Sequence, residues 1–175
     1  YVKITKHQRS EAQRFCMLKR NHNNKERYMI VRRATQSDLA ALAVLFDEYR
    51  QFYGASTALE QSHAFLQQRF HNQESVIFIH LKDDTITGFV VLYLGFSSVS
   101  CASYYILDDV YVSPNYRRQG AARQLIDTAM LFAQHQGALR LSLHTQKSNL
   151  QSQRLYESMG FVPDHEFQTY HCFLQ

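Results

Sequence analysis

The chain lacks the features that mark secreted and membrane-spanning proteins. Its three cysteines, Cys16, Cys101 and Cys172, are odd in number and widely spaced, so neither a disulfide framework nor a zinc site is predicted. No apolar run is long enough to cross a bilayer, and no hydrophobic leader followed by small residues is present. These absences predict a cytoplasmic protein with no membrane contact.

Metal-binding and nucleotide-binding motifs are also missing. The nine histidines include no pair in an H-x-x-x-H pattern, so no metal is expected. The glycine-rich motifs G-x-G-x-x-G and G-x-x-x-x-G-K-[ST] do not occur. A plain nucleotide-binding protein is therefore disfavoured.

Positive charge is concentrated at the start of the chain. The net charge is +4, but residues 1–28 hold eight Lys/Arg against two Glu, whereas the rest of the chain balances at −2. We predict a basic extension over residues 1–28 and one domain over residues 29–175. The extension is either a segment without a role in the fold or a basic helix that docks on a partner. Nucleic-acid binding through it is the least favoured function.

Alternating and helical hydrophobic patterns predict an α/β fold with a mixed sheet. Thr35 and Asp38 resemble a capping box that opens the first helix. A second amphipathic helix follows over residues 59–70, a third reaches Gly137, and a fourth covers residues 149–159. Strands are predicted over residues 28–33, 76–81, 86–96, 104–112, 140–144, 161–162 and 167–174.

The most informative stretch is ILDDVYVSPNYRRQGAARQL, from Ile106 to Leu125, where an apolar strand turns into a helix. A helix N-terminus leaves its first N–H groups unpaired and carries partial positive charge, so it suits an anion. Small residues open this helix and basic residues surround its start: Gly120, Ala121 and Ala122, with Arg117, Arg118 and Arg123. The stretch predicts a phosphate or pyrophosphate cradle, the alternative being a surface helix with solvated arginines.

Two motifs in this order carry a family resemblance. Arg117, Gly120 and Ala122 match the loop R/Q-x-x-G-x-G/A, in which many members have glycine where this chain has Ala122. A later motif, N-x-x-[AS]-x-x-x-Y-x-x-x-G-F, is matched by Asn149, Ser152, Tyr156, Gly160 and Phe161. From about Tyr28 onward, the chain resembles the GNAT family of acetyl-CoA-dependent N-acetyltransferases.

The resemblance implies a fold and a reaction. The fold is a mixed, mostly antiparallel sheet of six to seven strands with about four helices, and acetyl-CoA binds at the splayed central strands. The reaction is direct transfer of acetyl from acetyl-CoA to a primary amine in a ternary complex, with a small-molecule or protein acceptor. A homodimer joined through the C-terminal strands is also implied. The alternative function is a catalytically silent coenzyme A sensor or assembly module.

The resemblance also implies which residues bind acetyl-CoA. Backbone N–H groups hold the pyrophosphate beside Arg117: those of Arg118, Gln119, Gly120, Ala121, Ala122 and Arg123. The strand segment of Val110, Tyr111 and Val112 pairs with the acetyl and pantetheine groups, and the Val110 N–H polarises the thioester carbonyl. Asn149 contacts the pantetheine arm, and Ser152 and Tyr156 are further residues that bind acetyl-CoA.

Candidate catalytic residues follow from the need to move protons during acetyl transfer. Tyr156 is the expected general acid for the coenzyme A thiolate, although an aromatic packed between helix and sheet is the alternative. Asp108 and Asp109 interrupt an apolar strand and point to opposite faces of a regular sheet. Polyamine acetyltransferases of the family place an acidic residue equivalent to Asp108 as the proton acceptor, acting through water. A structural hydrogen bond is the alternative for either aspartate.

Residues 45–54 and 96–100 resemble the Hpa2-type branch of the family, which acetylates polyamine or histone amines. Four residues of the first segment suit a cationic acceptor: Asp47, Glu48, Tyr49 and Tyr53. A solvated helix face with a buried aromatic stripe is the alternative interpretation.

Overall fold

The computed structural model describes residues 29–174, which divide into two units, residues 29–143 and residues 144–174. The basic extension over residues 1–28 lies outside the described part. The larger unit contains strands β1 (Met29–Arg33), β2 (Ser75–Lys82), β3 (Thr85–Ser97), β4 (Ala102–Val112) and β5 (Leu141–Leu143). It also contains helices α1 (Leu39–Phe52), α2 (Leu59–His71) and α3 (Ala121–His135), and the smaller unit contains α4 (Leu150–Glu157).

The five strands form one sheet in the order β1-β2-β3-β4-β5. Neighbours from β1 to β4 are antiparallel, and β5 is parallel to β4 because α3 crosses over between them. The prediction of a mixed, mostly antiparallel sheet with four helices is confirmed for the described part of the chain.

The predicted number of six to seven strands was wrong, because only five form within residues 29–174. Residues 161–162 and 167–174 form no strand. Pro163 has no N–H to donate, and the Asp164 carboxylate accepts the N–H groups of Glu166 and Phe167 at 2.9 and 3.0 Å, which turns the chain. The aromatic residues that follow have strand propensity, but propensity without a pairing partner does not make a strand.

Both faces of the sheet are covered by helices. On one face, Phe89 of β3 packs with Phe46 of α1 in a buried cluster that also includes Leu66 of α2. On the other face, Phe78 of β2 and Tyr105 of β4 contact the Phe132 ring of α3. Each fully buried side chain of this size stabilises the fold by about 1.5–3 kcal/mol, so the two helical layers fix the sheet between them.

The start of α1 is held by a charged cluster. The Asp38 carboxylate accepts hydrogen bonds from the Thr35 N–H and hydroxyl, both at 2.7 Å, as a capping residue does. It also pairs with the Arg32 guanidinium at 2.7 and 2.8 Å, which holds the Asp38 pKa well below its usual range. The predicted pairing of Thr35 and Asp38 is confirmed.

The end of α1 is tied to the start of α2 by a buried carboxylate, Asp47. Its oxygens accept hydrogen bonds from the Thr57 hydroxyl at 2.7 Å, the Ala58 N–H at 2.9 Å and the Ser62 hydroxyl at 2.9 Å. These donors, the Ala58 N–H foremost, lower the Asp47 pKa to about 2. Asp47 therefore fixes the loop between the helices, which accounts for its burial.

Candidate active site

β4 contains one residue more than the part of β3 that faces it. Val91 lies opposite Asp109 and Leu92 lies opposite Leu107, which leaves Asp108 without a partner. Such an extra residue is a β-bulge, and it interrupts the regular alternation of side chains along the strand. The bulge therefore lies at the pair of aspartates that the sequence singles out.

The bulge changes the face to which β4 side chains point. Before it, Tyr105 contacts Phe132 of α3. After it, Tyr111 and Asp109 both contact Tyr49 of α1, although all three β4 residues have odd numbers and a regular strand would place them on one face. The insertion of Asp108 turns the Asp109 carboxyl from the α3 side to the α1 side.

Asp109 is a buried carboxyl with an altered affinity for protons. It is 8% exposed, and its Oδ1 accepts a hydrogen bond from the Tyr49 hydroxyl at 2.5 Å. Burial raises the Asp109 pKa to about 6, with a smaller contribution from the charge of Asp108, while the hydrogen bond from Tyr49 acts in the opposite direction. A carboxyl that titrates just below neutral pH suits proton transfer at neutral pH.

The two aspartates have different environments. Asp108 is exposed, whereas Asp109 is enclosed by β4 and α1. Two adjacent aspartates thus differ: Asp108 is in contact with solvent and Asp109 is buried. Strand alternation alone does not predict which of the two is buried.

Tyrosines surround the Asp109 carboxyl. Burial and the charge of Asp109 hold the Tyr49 pKa far above its ordinary value, so Tyr49 remains a hydrogen-bond donor. Burial, with the charges of Asp109 and Asp108, raises the pKa of Tyr93 on β3 to about 12. Sequence reasoning missed Tyr93, because its proximity to the aspartates depends on the pairing of β3 with β4.

The predicted cradle lies where β4 leads into α3. Gly120 precedes the helix with φ +89°, a backbone conformation that favours glycine. Arg118 also has a positive φ of 62°. Within residues 29–143, the N–H groups of residues 118–122 donate to no acceptor. With small side chains at Ala121 and Ala122, this leaves a row of donors open to an anion.

The three arginines of the loop have different surroundings. Arg117 Nε donates to the Val112 carbonyl oxygen at 2.8 Å, and its guanidinium lies 5.6 Å from the Phe52 ring and 5.4 Å from the Tyr111 ring. Arg117 therefore connects the end of β4 to α1. Arg118 and Arg123 are exposed.

Lys82, at the end of β2, adds a positive charge that sequence reasoning missed. Its Nζ donates to Gln119 Oε1 at 2.8 Å and lies 5.6 Å from the Tyr116 ring. The antiparallel order is the signal that could have found it, because the end of β2 and the end of β4 then lie at the same edge of the sheet.

One edge of β4 is open beside this cradle. β5 pairs only with residues Tyr105, Ile106 and Leu107 of β4. Val110 and Val112 pair with β3 on their other side, opposite Val90 and Gly88, and have no strand partner on the β5 side within residues 29–143. An open strand edge offers backbone groups to an extended ligand.

The remaining predicted site residues lie in the smaller unit. Asn149 precedes α4, and its Oδ1 accepts the Ser152 N–H at 3.1 Å, so this side chain caps the helix. Tyr156 is 7% exposed, and its ring lies 5.8 Å from the Phe161 ring. Tyr156 and Phe161, the two aromatic positions of the later motif, therefore pack together within this unit.

Two further kinds of feature are absent from the described residues. Within residues 29–174, no three His, Cys, Asp or Glu side chains are grouped as metal ligands. No helix in the same range combines the length and apolar character needed to span a membrane.

Comparisons with known proteins agree on one family. A profile of the acetyltransferase (GNAT) family matches residues 40–161. The uncharacterised N-acetyltransferase YhfO of Bacillus subtilis (strain 168) is 42% identical over 142 residues, which cover 81% of this chain and 95% of YhfO.

Solved structures add the fold. The crystal structure of a probable acetyltransferase is 39% identical, with a TM-score of 0.80 over 83% of this chain and 98% of that chain. The aminoglycoside N-acetyltransferase AAC(6')-Iy in complex with CoA has a TM-score of 0.71 at 19% identity, over 86% of this chain and 98% of that chain. At that identity the likeness concerns the fold alone. The extent of the profile and the identity to YhfO show that the chain belongs to the GNAT family of acetyltransferases.

Proposed function

We propose that this acetyltransferase moves the acetyl group of acetyl-CoA to a primary amine by direct attack within a ternary complex. One observation carries the proposal: β4 brings a buried carboxyl at Asp109, an open strand edge at Val110 and Val112, and an unpaired N–H cradle together in one run of chain. Acetyl transfer requires all three: the carboxyl to deprotonate an amine, the strand edge to align a thioester, and the cradle to bind a pyrophosphate.

The cradle fits the pyrophosphate of acetyl-CoA. Its free donors and small side chains admit phosphate oxygens, and Lys82 adds charge at its edge. The proposed contacts are Arg117 and the N–H groups of Arg118, Gln119, Gly120, Ala121, Ala122 and Arg123. When bound, acetyl-CoA supplies an acetyl group activated as a thioester.

The open edge of β4 fits the extended arm of the same molecule. We assign Val110, Tyr111 and Val112 to backbone pairing with the pantetheine arm, and the Val110 N–H to the carbonyl oxygen at which negative charge develops. Asn149 and Ser152 are assigned to the arm as well; the Asn149 cap leaves its amide nitrogen as a donor.

Two residues are assigned to proton transfer. Asp109 accepts a proton from the amine through a water molecule, since its pKa of about 6 leaves it ionised at neutral pH. Asp108 attracts the ammonium form of the acceptor from solvent. Tyr156 donates a proton to the departing thiolate.

We infer a cationic primary amine as the acceptor: a polyamine, another small amine or a protein lysine. The aromatic side chains of Phe52 and Tyr53 are 56% and 50% exposed at the end of α1, one turn from Tyr49 and its bond to Asp109. Exposed rings beside carboxylates attract cations. This combination supports the polyamine-type branch of the family.

We further propose a cytoplasmic homodimer whose catalytic domain spans residues 29–175. Exposed apolar side chains in the C-terminal segment support the dimer: Val162, Phe167, Tyr170, Phe173 and Leu174. The mass in solution, measured by light scattering at several concentrations, tests it, and a monomer at every concentration would exclude it.

The experiment for the whole proposal is release of coenzyme A thiol from acetyl-CoA with a panel of polyamines, lysine and histone peptides. We expect turnover with at least one cationic amine and a loss of about 10²-fold or more in Asp109→Asn. Asp84→Asn is the matched control, because Asp84 is exposed and its φ of 64° suits asparagine equally well. Binding of acetyl-CoA with no thiol release for any amine would leave a silent coenzyme A-binding protein instead.

A further inference from the structure

We propose that Tyr49 is a positioning residue for acetyl transfer, which holds Asp109 in the orientation and ionisation state that the reaction requires. The inference rests on the proposed function, in which Asp109 accepts the proton of the amine. Tyr49 lies on α1, sixty residues away in sequence, and the contact exists only because the bulge turns Asp109 toward that helix.

The hydrogen bond leaves one carboxylate oxygen for the substrate side. The Tyr49 hydroxyl donates to Asp109 Oδ1 at 2.5 Å, and Oδ2 receives no hydrogen bond from residues 29–143. A carboxylate held at one oxygen by a fixed donor has lost its rotational freedom, so the other oxygen presents one direction to a water or an amine.

The donor is itself packed among aromatic rings. Four rings lie within 5.9 Å of the Tyr49 ring, from centroid to centroid: those of Phe46, Tyr53, Phe89 and Tyr111. Its pKa is held far above the ordinary value by burial and by the charge of Asp109, so the phenol keeps its proton throughout the working pH range. The direction of the hydrogen bond, from Tyr49 to Asp109, is therefore constant.

The hydrogen bond from Tyr49 opposes the other influences on the protonation of Asp109. Burial and the charge of Asp108 on β4 favour the protonated carboxyl, whereas the hydrogen bond from Tyr49 favours the ionised one. From β3, the half-buried Tyr93 faces the same carboxylates. The Arg69 guanidinium of α2 and Glu74 also act on Tyr93, and these two form an ion pair with each other. Among these groups, Tyr49 alone donates a hydrogen bond to Asp109.

The test is the pH profile of kcat/KM for Tyr49→Phe, measured with the best amine of the panel. The profile has a break where Asp109 ionises. Because the variant loses a hydrogen bond to the charged carboxylate, this break shifts upward by about one pH unit. At pH 7 this shift alone lowers the rate roughly twofold. The part due to ionisation vanishes near pH 9, and a loss that remains there measures the orientation of the carboxylate. The KM for acetyl-CoA stays unchanged, because the cradle is formed by other residues.

Tyr105→Phe is the matched control, since Tyr105 is a buried tyrosine of β4 that faces α3 instead of α1. It is expected to leave the profile unchanged. A Tyr49→Phe enzyme whose profile keeps its break at the wild-type pH, with the rate lowered by one factor throughout, would show that Tyr49 does not act on the ionisation of Asp109, and would overturn the inference.

A double-mutant cycle separates this inference from the proposed function. If Tyr49 acts through Asp109, Tyr49→Phe causes no further loss in an Asp109→Asn background. Full additivity would overturn the inference while leaving Asp109 as the base. If Asp109→Asn itself keeps the wild-type profile, Asp109 is not the base, and both the assignment and the inference that rests on it fail.

Discussion

Ionisation of the buried Asp109 carboxyl lowers the stability of the folded protein. Its pKa of about 6 in the native state exceeds the value of about 3.9 expected for an unfolded chain. The folded state therefore binds a proton more tightly than the unfolded state, and ionisation of Asp109 destabilises the fold above pH 6. This penalty disappears below about pH 4, where both states are protonated.

We expect Asp109→Asn to be more stable than the wild type while it is less active. The free energy of unfolding at pH 7.5 should rise by about 1–2 kcal/mol, because the neutral amide still accepts the Tyr49 hydrogen bond without a buried charge. Urea unfolding at pH 7.5 and at pH 4 measures the effect, which should shrink at the lower pH. A less stable variant at pH 7.5 would contradict this account of Asp109.

At this residue scale, the sequence singled out the pair of aspartates but not their different environments. Two aspartates within an apolar strand are conspicuous because strands and cores disfavour them. Their separation into exposed Asp108 and buried Asp109 depends on the bulge, and a bulge is a feature of strand pairing that single-strand patterns do not encode. Tyr49 was predicted to suit a cationic acceptor, whereas its observed partner is Asp109.

Among the elements, the loop between α1 and α2 depends on one buried side chain. The Asp47 pKa of about 2 lies below the unfolded value, so the contribution of Asp47 to stability is present above about pH 4 and is lost as the pH falls toward 2. We expect Asp47→Asn to lower the melting temperature at pH 7, with a smaller difference from wild type near pH 3. Glu60→Gln, at an exposed position of α2, is the control and should melt as the wild type does. An unchanged melting temperature for Asp47→Asn would show that the network does not stabilise the loop.

The hairpin of β2 and β3 contributes Lys82 to the edge of the cradle. We expect Lys82→Met to raise the KM for acetyl-CoA several-fold, because one charge near a phosphate is lost, with kcat nearly unchanged. Lys82→Arg should recover most of the affinity. Steady-state kinetics at low and moderate salt measures both variants, and a lowered kcat at unchanged KM would contradict a role in binding.

α3 approaches the same edge over Gly88 of β3. A Cβ at Gly88 would lie 2.8 Å from the Tyr111 carbonyl oxygen and 3.2 Å from Leu125 Cδ1. Gly88→Ala is therefore expected to displace the start of α3, with a loss of about 1–3 kcal/mol in stability and weaker binding of acetyl-CoA. Calorimetric titration with coenzyme A, alongside thermal unfolding, checks both effects. Gln134→Ala, at an exposed position near the other end of α3, is the control and should leave both measurements unchanged.

For the molecule as a whole, hydrophobic patterning predicted β1 to β5 and the four helices to within a few residues. It overcounted the strands after α4, because Phe167 and its neighbours have strand composition without a partner. Contacts between distant segments, such as Lys82 with Gln119, follow from the strand order and not from any local signal. The loop from Arg117 to Ala122 was recognisable because its residues are adjacent in sequence, and its role in anion binding stays a prediction.

The charge distribution gives a prediction for the basic extension over residues 1–28. Eight of its nineteen Lys/Arg belong to residues 1–28, whose structure lies outside the described range. A chain that begins at Met29 is expected to keep its kcat and its KM for acetyl-CoA, because every assigned site residue follows that position. Parallel assays of both chains measure this. Loss of acetyl transfer in the shorter chain would show that residues 1–28 contribute to catalysis or to substrate binding.

The bulge at Asp108 shifts the alternation of the β4 side chains by one position. Every residue after it lies on the face opposite to the one that its number would give it in a regular strand. Removal of Asp108 alone would leave a regular ladder with the same partners and faces, because Val91 and Leu92 already pair with Asp109 and Leu107. If Asp108 instead paired with Val91 in a ladder without a bulge, Asp109 and Tyr111 would turn toward α3, while Val110 and Val112 would face α1. The strand pairing at this one position, more than the order of residues along β4, determines that the Asp109 carboxyl lies on the α1 side, and a relative without the extra residue would keep its carboxyl there, with the gap placed opposite Asp108.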